Sequence, residues 1–457
     1  MSNGNTHHRN PLGVFDATTL IVGSMIGSGI FIAPAIMSTY IQTPGLLILM
    51  WLLGGLFTIC GALSLGSLAA AIPKMGGPYV FLRMAYSPIV GFLYGWTAFL
   101  VIQSGVIAAV SIAFAKYLGA IFPIIAESQI LYANSLFSIS SVQLIAICAI
   151  IILSILNIQG IKLGALVQNI FTVSKVAALL FLIAIVFIFG GGSVHNFTPV
   201  FTPKINETLN LSFFAAFAVA MSKALFAYDA WNSVSFVAEE IRNPRKNLPL
   251  ALLIGTSLTT ILYTLSTVAY LYIVPIDQMA QVPEGRIAAT VAELVLGNFG
   301  KVFIVIAILI STFGCINGII LLSARLYYSM AKDRLFFEGM GKIHPKYETP
   351  STALVYQCIF ASLLTLSGTY SDLLTYAIFG SLLFNALTIF SLFILRKKMA
   401  VADRPAKIWG YPFTPLLYVL IAILFIVYIF IGDLRNSGMG LLLILSGIPF
   451  YFFWKKK

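Results

Sequence analysis

The stretch Gly23–Phe31, with the sequence GSMIGSGIF, has residue types that could expose backbone groups for binding. It contains three glycines and two serines within an otherwise apolar segment. Each glycine inside a helix costs up to about 1 kcal/mol relative to alanine. The pattern favours a helix interrupted near Gly27-Ser28-Gly29. The alternative is a continuous helix that packs closely through its small residues.

An interrupted helix in apolar surroundings leaves N–H and C=O groups that lipid cannot satisfy, so they must line a cavity or hold a ligand. A half-helix that begins near Ser28 would direct its N–H groups and positive dipole end toward an anion. The preceding half-helix would offer carbonyl oxygens to a cation. Because an amino acid carries both charges close together, the pattern predicts a site for a zwitterion.

A second candidate is Phe226–Asn232, with the sequence FAYDAWN, in which a carboxylate interrupts an apolar segment near its middle. Acidic side chains inside a membrane are costly and usually mark a pathway or a partner. This pattern favours a second interrupted helix around Asp229. The alternative is a carboxylate that merely bonds to nearby backbone.

Two lysines also lie within apolar segments. Lys175 lies mid-segment, where its side chain either reaches the membrane surface or serves inside the protein. Lys223 has three possible settings: an outer vestibule, the membrane surface, or an indirect contact with Asp229 or an acidic substrate. The four cysteines and four histidines show no metal-binding spacing, so we expect no metal site and no cofactor.

These residues must be positioned by membrane helices. The chain of 457 residues is 60% apolar and only 9% charged, which a soluble protein of this length could hardly tolerate. Spanning a bilayer takes about 20 apolar residues, and such runs recur from end to end. The sequence predicts twelve spans, at 15–38, 46–70, 88–119, 141–158, 164–190, 211–239, 249–274, 299–330, 351–368, 372–397, 414–432 and 437–454.

The net charge of +12 does not indicate a nucleic-acid partner, because the basic residues are dispersed over short loops between apolar runs. Most of the 27 Lys and Arg fall in loops on one side of the predicted helices. The positive-inside rule then places both termini in the cytoplasm of a multi-pass protein of the cell membrane. Basic loops also favour anionic membrane lipids as partners.

The predicted span that contains Asp229 is the sixth, and the one that contains Gly27 is the first. If spans 1–5 and 6–10 are two units, the second is inverted in the membrane because five is odd. Interrupted helices at matching positions of inverted repeats indicate a transporter site. The predicted organisation is a tail at 1–14, repeats at 15–190 and 211–397, two further helices at 414–454, and a tail at 455–457.

Four stretches resemble the amino acid–polyamine–organocation superfamily, and within it the L-type amino acid transporters and their bacterial relatives. They are Gly23–Phe31, Leu156–Lys175, Leu225–Leu250 and Ser311–Pro350. The resemblance implies an all-α integral membrane fold of twelve helices, with a leucine-transporter-type 5+5 inverted repeat and two extra C-terminal helices. It also implies amino acid transport by alternating access rather than an enzyme.

The resemblance assigns roles to residues of the two interrupted helices. The N–H groups of Ser28 and Gly29 would bind the substrate carboxylate, and the carbonyls of Met25, Phe226 and Asp229 would bind the amine. The full set expected around the substrate is Met25, Ile26, Gly27, Ser28, Gly29, Ile30, Phe226, Ala227, Tyr228, Asp229 and Trp231.

Lys175 follows Thr172-Val173-Ser174, and it resembles a lysine that replaces a bound sodium ion in sodium-independent relatives. Its ammonium would bind carbonyls near Gly23 and polar groups of helix 8 such as Ser311 and Thr312. Transport would then need no sodium.

The loop Glu239–Pro249 is either a solvated loop or an inner gate, in which Glu239 and Glu240 pair with basic residues such as Arg325. An exposed pair of this kind contributes only about 0–1 kcal/mol, which suits a gate that must open. Departures from the family pattern include Ala230 at a glycine position of helix 6. Lys223, in the outer half of that helix, disfavours a cationic substrate and is a further candidate gating residue.

The predicted function is therefore sodium-independent secondary transport of amino acids, as an exchanger or a proton-coupled symporter. Two alternatives use the same site: an amino acid sensor, or a polyamine/amino acid antiporter. The sequence leaves open which amino acid is moved, whether the protein is a monomer or a homodimer, and whether an accessory subunit takes part.

Overall fold

The computed structural model describes residues 12–119, 121–122, 124–125, 129–133, 138–201, 211–367, 370–432 and 434–455. Most of the predicted N-terminal tail and the last two residues of the predicted C-terminal tail lie outside the described residues.

The described chain is overwhelmingly α-helical because its apolar runs can satisfy their backbone only within themselves. The α-helices are α1 Val14–Met25, α2 Gly29–Tyr40, α3 Pro44–Ala71, α4 Pro78–Ala85, α5 Pro88–Thr97, α6 Gln103–Gly119, α7 Ser141–Ile158, α8 Ile161–Phe189, α9 Leu211–Ala227, α10 Pro244–Ile273, α11 Ile276–Met279, α12 Ile287–Lys332, α13 Ser351–Ser367, α14 Tyr370–Lys398, α15 Phe413–Gly432 and α16 Leu434–Lys455. A 3₁₀-helix, Trp231–Glu240, follows α9, and a π-helical turn, Ala98–Ile102, joins α5 to α6.

Ten helical segments of the described chain are long and apolar enough to cross a membrane. The other two predicted spans correspond to α9 with its 3₁₀-helix, which a turn divides, and to α13, which is shorter. The described chain is thus a predominantly helical, multi-pass protein, and the count of twelve spans stays a prediction.

Two of the segments between the predicted spans contain regular structure. Within 120–140, strands β1 (Ile130–Ala133) and β2 (Ser138–Ser140) pair antiparallel. The segment 275–298 is largely helical, since α12 begins at Ile287, well before the predicted span. Gly297 bends α12 with a φ of 62°, a conformation that glycine adopts without steric cost.

The centre of the bundle is formed by α1, which packs against α8, α10 and α12. α2, which follows α1 directly, packs against α9. This arrangement brings the stretches around Gly27 and Asp229 together.

One end of the bundle gathers many of the loops that we predicted to be cytoplasmic, and we call it the basic end. There Leu12 forms a parallel bridge with Ile241, and the hydroxyl of Ser329 donates to the Met75 carbonyl at 3.0 Å. The Lys398 ammonium donates to the Ala85 carbonyl at 2.7 Å. These contacts tie the segments at 12, 75–85, 241, 329 and 398 to one another.

Candidate functional site

The first interruption lies between α1 and α2. Helix α1 ends at Met25, Ile26 is extended with φ −78° and ψ 92°, and α2 starts at Gly29. The N–H of Gly27 turns back to the Met25 carbonyl at 3.0 Å. The sequence-based prediction of a helix broken near Gly27 is therefore confirmed.

The interruption leaves donors open at the start of α2. Among the described residues, no oxygen accepts a hydrogen bond from the N–H of Gly29 or Ile30. Both residues are buried, and an unsatisfied buried donor is unfavourable. These N–H groups and the positive end of the α2 dipole are suited to an anionic group such as a carboxylate.

The second interruption follows α9. The chain turns at Tyr228–Ala230, where Asp229 N–H donates to the Phe226 carbonyl at 3.0 Å, and continues as the 3₁₀-helix. Ala230 has a φ of 70°, in the left-handed region that disfavours residues with a Cβ. This is the position where the sequence departs from a family glycine.

The two interruptions are in direct contact. A Cβ on Gly29 would lie 2.6 Å from the Cβ of Ala227, so only glycine lets α2 approach the end of α9 this closely. The hydroxyl of Tyr263, on α10, lies 2.9 Å from the carbonyls of both Met25 and Ala227. Tyr263 therefore joins the two helix ends, a role that the sequence did not reveal.

A cavity of about 20 Å³ lies at this junction. Its lining residues are Ser24, Met25, Gly27, Ser28, Gly29, Ile102, Gln103, Val106, Val110, Phe226, Ala227, Asp229, Ala230, Cys315 and Ile319. This volume admits a water molecule, so the structure shows the site closed, and an amino acid requires the walls to move apart.

Seven of the predicted substrate residues line the cavity, and four do not. Ile26 and Ile30 belong to the interruption but face elsewhere with their side chains. Tyr228 and Trp231 line a second small cavity, together with Ser381, Asn385 and Tyr418. The Tyr228 hydroxyl donates to the Trp51 carbonyl at 2.8 Å, which holds this ring away from the first cavity.

The Asp229 side chain lies between the two cavities, at one end of a chain of hydrogen bonds. Ser381 donates to its Oδ1 at 2.8 Å, and the Asn385 amide lies 3.2 Å from the Ser381 hydroxyl. The Asn232 amide in turn donates to the Asn385 oxygen at 2.6 Å. The chain links the second interruption to α14, so Asp229 bonds to side chains beyond its own backbone.

Lys175, on α8, is 1% exposed and reaches the first interruption. Its ammonium donates to the carbonyls of Gly23, Ile26 and Ser311 at 2.9, 2.6 and 2.7 Å. These bonds use all three ammonium protons, and the charge faces the negative end of the α1 dipole. The side chain does not reach the membrane surface.

Thr312 does not take part in this contact. Its hydroxyl donates to the Ile308 carbonyl of its own helix at 2.8 Å. The hydroxyl of Ser311 instead lies 3.1 and 3.2 Å from the Ile26 and Gly27 carbonyls. The first interruption is therefore held by α8 and α12 together.

Sequence reasoning also missed two side chains of the cavity wall, those of Gln103 and Cys315. Gln103 is buried directly after the π-helical turn Ala98–Ile102, and such turns often occur at functional sites. The Cys315 thiol lies 3.0 Å from the Ser24 carbonyl. Gln103 could have been noticed in the sequence, because it is the only amide side chain in the predicted span 88–119.

A gate-like ion pair lies at the basic end. The Arg325 Nε donates to Glu240 Oε1 at 3.0 Å, and a second guanidinium nitrogen donates to the Leu321 carbonyl. Arg325 is 1% exposed, so our premise of a solvent-exposed pair is wrong. Glu239 is exposed and Lys223 is partly buried, and their gating roles stay predictions.

Neighbouring backbone holds the same end closed. Leu12 N–H donates to the Glu240 carbonyl at 3.1 Å, and Gly76 N–H donates to the Phe236 carbonyl at 3.1 Å. The Tyr79 hydroxyl donates to Asp333 at 2.8 Å. Burial, assisted by the Asp333 carboxylate, raises the pKa of Tyr79 well above its ordinary value, so this phenol stays a donor.

The chain is similar to several known proteins. Residues 12–450 match the family model described as "Amino acid permease". The chain is 31% identical to the serine/threonine exchanger SteT of Bacillus subtilis, over 98% of each chain. It is 30% identical to the Asc-type amino acid transporter 1 and to the b(0,+)-type amino acid transporter 1, both of Mus musculus. Those alignments cover 98% of this chain and 82% and 88% of the relatives.

Proposed function

Because the chain belongs to the amino acid permease family, within the amino acid–polyamine–organocation superfamily, we propose that it is a secondary transporter. It exchanges small neutral amino acids across the cell membrane by alternating access, without sodium. The observation that carries this proposal is the buried junction of two interrupted helices, where residues of both helix ends line one cavity and N–H groups at the start of α2 stay open.

The junction has groups for both ends of an amino acid. The N–H groups of Gly29 and Ile30 would bind the carboxylate at the start of α2. The carbonyls of Met25, Phe226 and Asp229 would bind the amine. All the helices that converge here belong to different parts of the chain, so a relative movement of two of them opens or closes the cavity.

The sodium independence is supported by Lys175. Its ammonium places a fixed positive charge among the carbonyls of Gly23, Ile26 and Ser311, which are groups that a sodium ion would otherwise need. A cation and an ammonium cannot occupy the same carbonyl cluster, because they would repel each other at close range.

The substrate class is supported by the lining of the cavity. The residues of α6 and α12 that line it are mostly apolar, and Gln103, at the start of α6, adds an amide. A small or hydroxylated side chain suits this wall. The name of the Bacillus relative, a serine/threonine exchanger, agrees with this choice.

The proposal includes a topology of twelve spans with both termini in the cytoplasm, as two inverted five-helix repeats followed by two helices. The basic end would then face the cytoplasm, and the Glu240–Arg325 pair would close the site on that side.

The test is uptake of labelled serine into proteoliposomes. Exchange predicts rapid uptake only when the vesicles contain an unlabelled amino acid, with no effect of replacing sodium by choline. An imposed pH gradient distinguishes exchange from proton symport. Competition by leucine, glutamate and arginine then defines the substrate class.

A matched control is Gly27→Leu, because a side chain at this position meets the Cys315 Sγ, 3.0 Å from the ideal Cβ position. We expect this variant to insert normally but to lose substrate binding. Uptake that requires sodium, or a strong preference for arginine, would contradict the proposal. Binding without any flux would favour the sensor.

A further inference from the structure

A larger cavity lies at the basic end, between the end of α14 and the start of α15, away from the substrate site. Its volume is about 410 Å³. The lining combines three cationic side chains with apolar and aromatic ones: Arg396, Lys397, Arg404, Phe390, Phe393, Tyr411 and Leu416. A cavity of this composition accepts an anionic group on one side and hydrocarbon on the other.

Two of the three cations are held in place. The Arg396 guanidinium donates to the Pro405 carbonyl and lies 5.0 Å from the centre of the Tyr411 ring. The Arg404 Nε donates to the Met399 carbonyl at 3.0 Å. Since each guanidinium has five N–H donors, most of them remain for a ligand. The end of α14 and the loop that follows it thus present two guanidinium groups held by hydrogen bonds.

The three positive charges lie close together. Among the described residues, no ion pair involves Arg396, Lys397 or Arg404. Clustered like charges repel one another, so an anion would stabilise this arrangement. Guanidinium groups match the geometry of phosphate oxygens especially well.

The other wall is open to hydrocarbon. Phe390 and Leu416 are each 41% exposed, on helices that pass into the apolar bundle surface. Trp409, in the loop before α15, and Phe413, at the start of α15, are 85% and 76% exposed. Exposed aromatic residues of this kind are typical of the membrane–water interface. A ligand that fills this site has both a phosphate headgroup and acyl chains.

We propose that this cavity binds the headgroup of an anionic phospholipid, with its acyl chains along α14 and α15. Basic pockets between membrane helices are known to suit such headgroups. The two cavities share no lining residue. Binding of a lipid to this site can therefore be measured without a transport assay.

The experiment is native mass spectrometry of the full-length protein in detergent, titrated with phosphatidylglycerol or phosphatidylcholine of the same acyl chains. We expect wild type to retain phosphatidylglycerol preferentially. The variant Lys397→Gln/Arg404→Gln should lower that affinity by about 5-fold for each charge removed. Thermal unfolding of both proteins shows that the variant is folded.

Lys407→Gln is the matched control, because it removes one charge from the same loop but does not line the cavity. It should leave the affinity within about 2-fold of wild type, since screening weakens a more distant charge. Equal retention of the two lipids would overturn the proposal. An equal loss in Lys407→Gln would also overturn it, in favour of diffuse attraction. A change of oligomeric mass in the double variant would assign the cavity to a second copy of the chain instead.

Discussion

The two helix interruptions reach a similar geometry by different means. The first, at 26–28, is rich in glycine and is held by side chains from α8, α10 and α12, including a buried ammonium. The second, at 228–230, turns on Ala230 in the left-handed region and holds its carboxylate through Ser381. Neighbouring helices therefore maintain the first interruption, whereas a local backbone turn at Ala230 partly maintains the second.

This difference has a consequence for function. An interruption held by outside contacts changes when those contacts change, so the first is suited to respond to movements of α8 and α12. An interruption with its own turn keeps its shape while the surrounding helices move. We therefore expect substitutions around the first interruption to have the larger effects.

The largest effect is expected for Lys175→Met, which removes the ammonium donor from three buried carbonyls, of which Ile26 keeps the Ser311 hydroxyl as a donor. Each unsatisfied group costs about 1–3 kcal/mol, so we expect uptake to fall to background and the melting temperature to decrease. Uptake and thermal unfolding of the purified protein measure both. Lys162→Met, at the exposed start of α8, is the control and should retain most of the uptake. If Lys175→Met took up substrate at the wild-type rate, the first interruption would not depend on its contact with α8.

A smaller effect is expected for Glu240→Gln, which takes the charged partner from buried Arg325. Breaking a buried pair is costly, and partial exposure of Glu240 reduces the cost to about 1–3 kcal/mol. Uptake should fall several-fold, and thermal unfolding should report the lost stability. Glu338→Gln, at an exposed position just after α12, is the control. If the two variants behave alike, the pair is not a gate, whereas adding Arg325→Met to Glu240→Gln should restore part of the stability.

Tyr263→Phe tests the link between the two interruptions, because it removes only the hydroxyl near Met25 and Ala227. We expect a loss of about 1–2 kcal/mol, seen as a rise of about 10-fold in the KM for uptake. Tyr272→Phe, farther along the same helix, should leave the KM unchanged. A shift in both variants would instead indicate a general perturbation of α10.

The smallest effect, with the opposite sign, is expected for Ala230→Gly. Relief of the left-handed strain should raise stability by about 1 kcal/mol without loss of uptake. Ala224→Gly, at a buried helical position of α9, should lower stability by a similar amount. Equal destabilisation by both would show that the turn at 230 does not strain the chain.

The interruptions could be predicted from sequence because their causes are local. Glycines at 27 and 29 and a carboxylate at 229 destabilise a continuous membrane helix, whichever helices pack against it. The resemblance to a transporter family then placed Lys175 beside Gly23 and Ser311, and both contacts are present. Thr312 was wrong because its hydroxyl is satisfied within its own helix.

The remaining contacts could not be predicted in this way. Tyr263, Cys315 and Ser381 lie on helices far along the chain, and only packing brings their polar atoms to the interruptions. The burial of Arg325 was missed because its partner Glu240 belongs to a predicted loop, where an ion pair is ordinarily solvated. Gln103 depends on a π-helical turn, which rotates the following residues in a way that no apolar pattern reveals.

The sequence by itself determined that this chain crosses a membrane many times and that two of its helices are interrupted, because hydropathy and glycine content act over a few residues. Only the tertiary structure decided which groups hold those interruptions and how small the enclosed cavity is. Those properties depend on helices that are distant in sequence, and their side chains meet only after the bundle has packed.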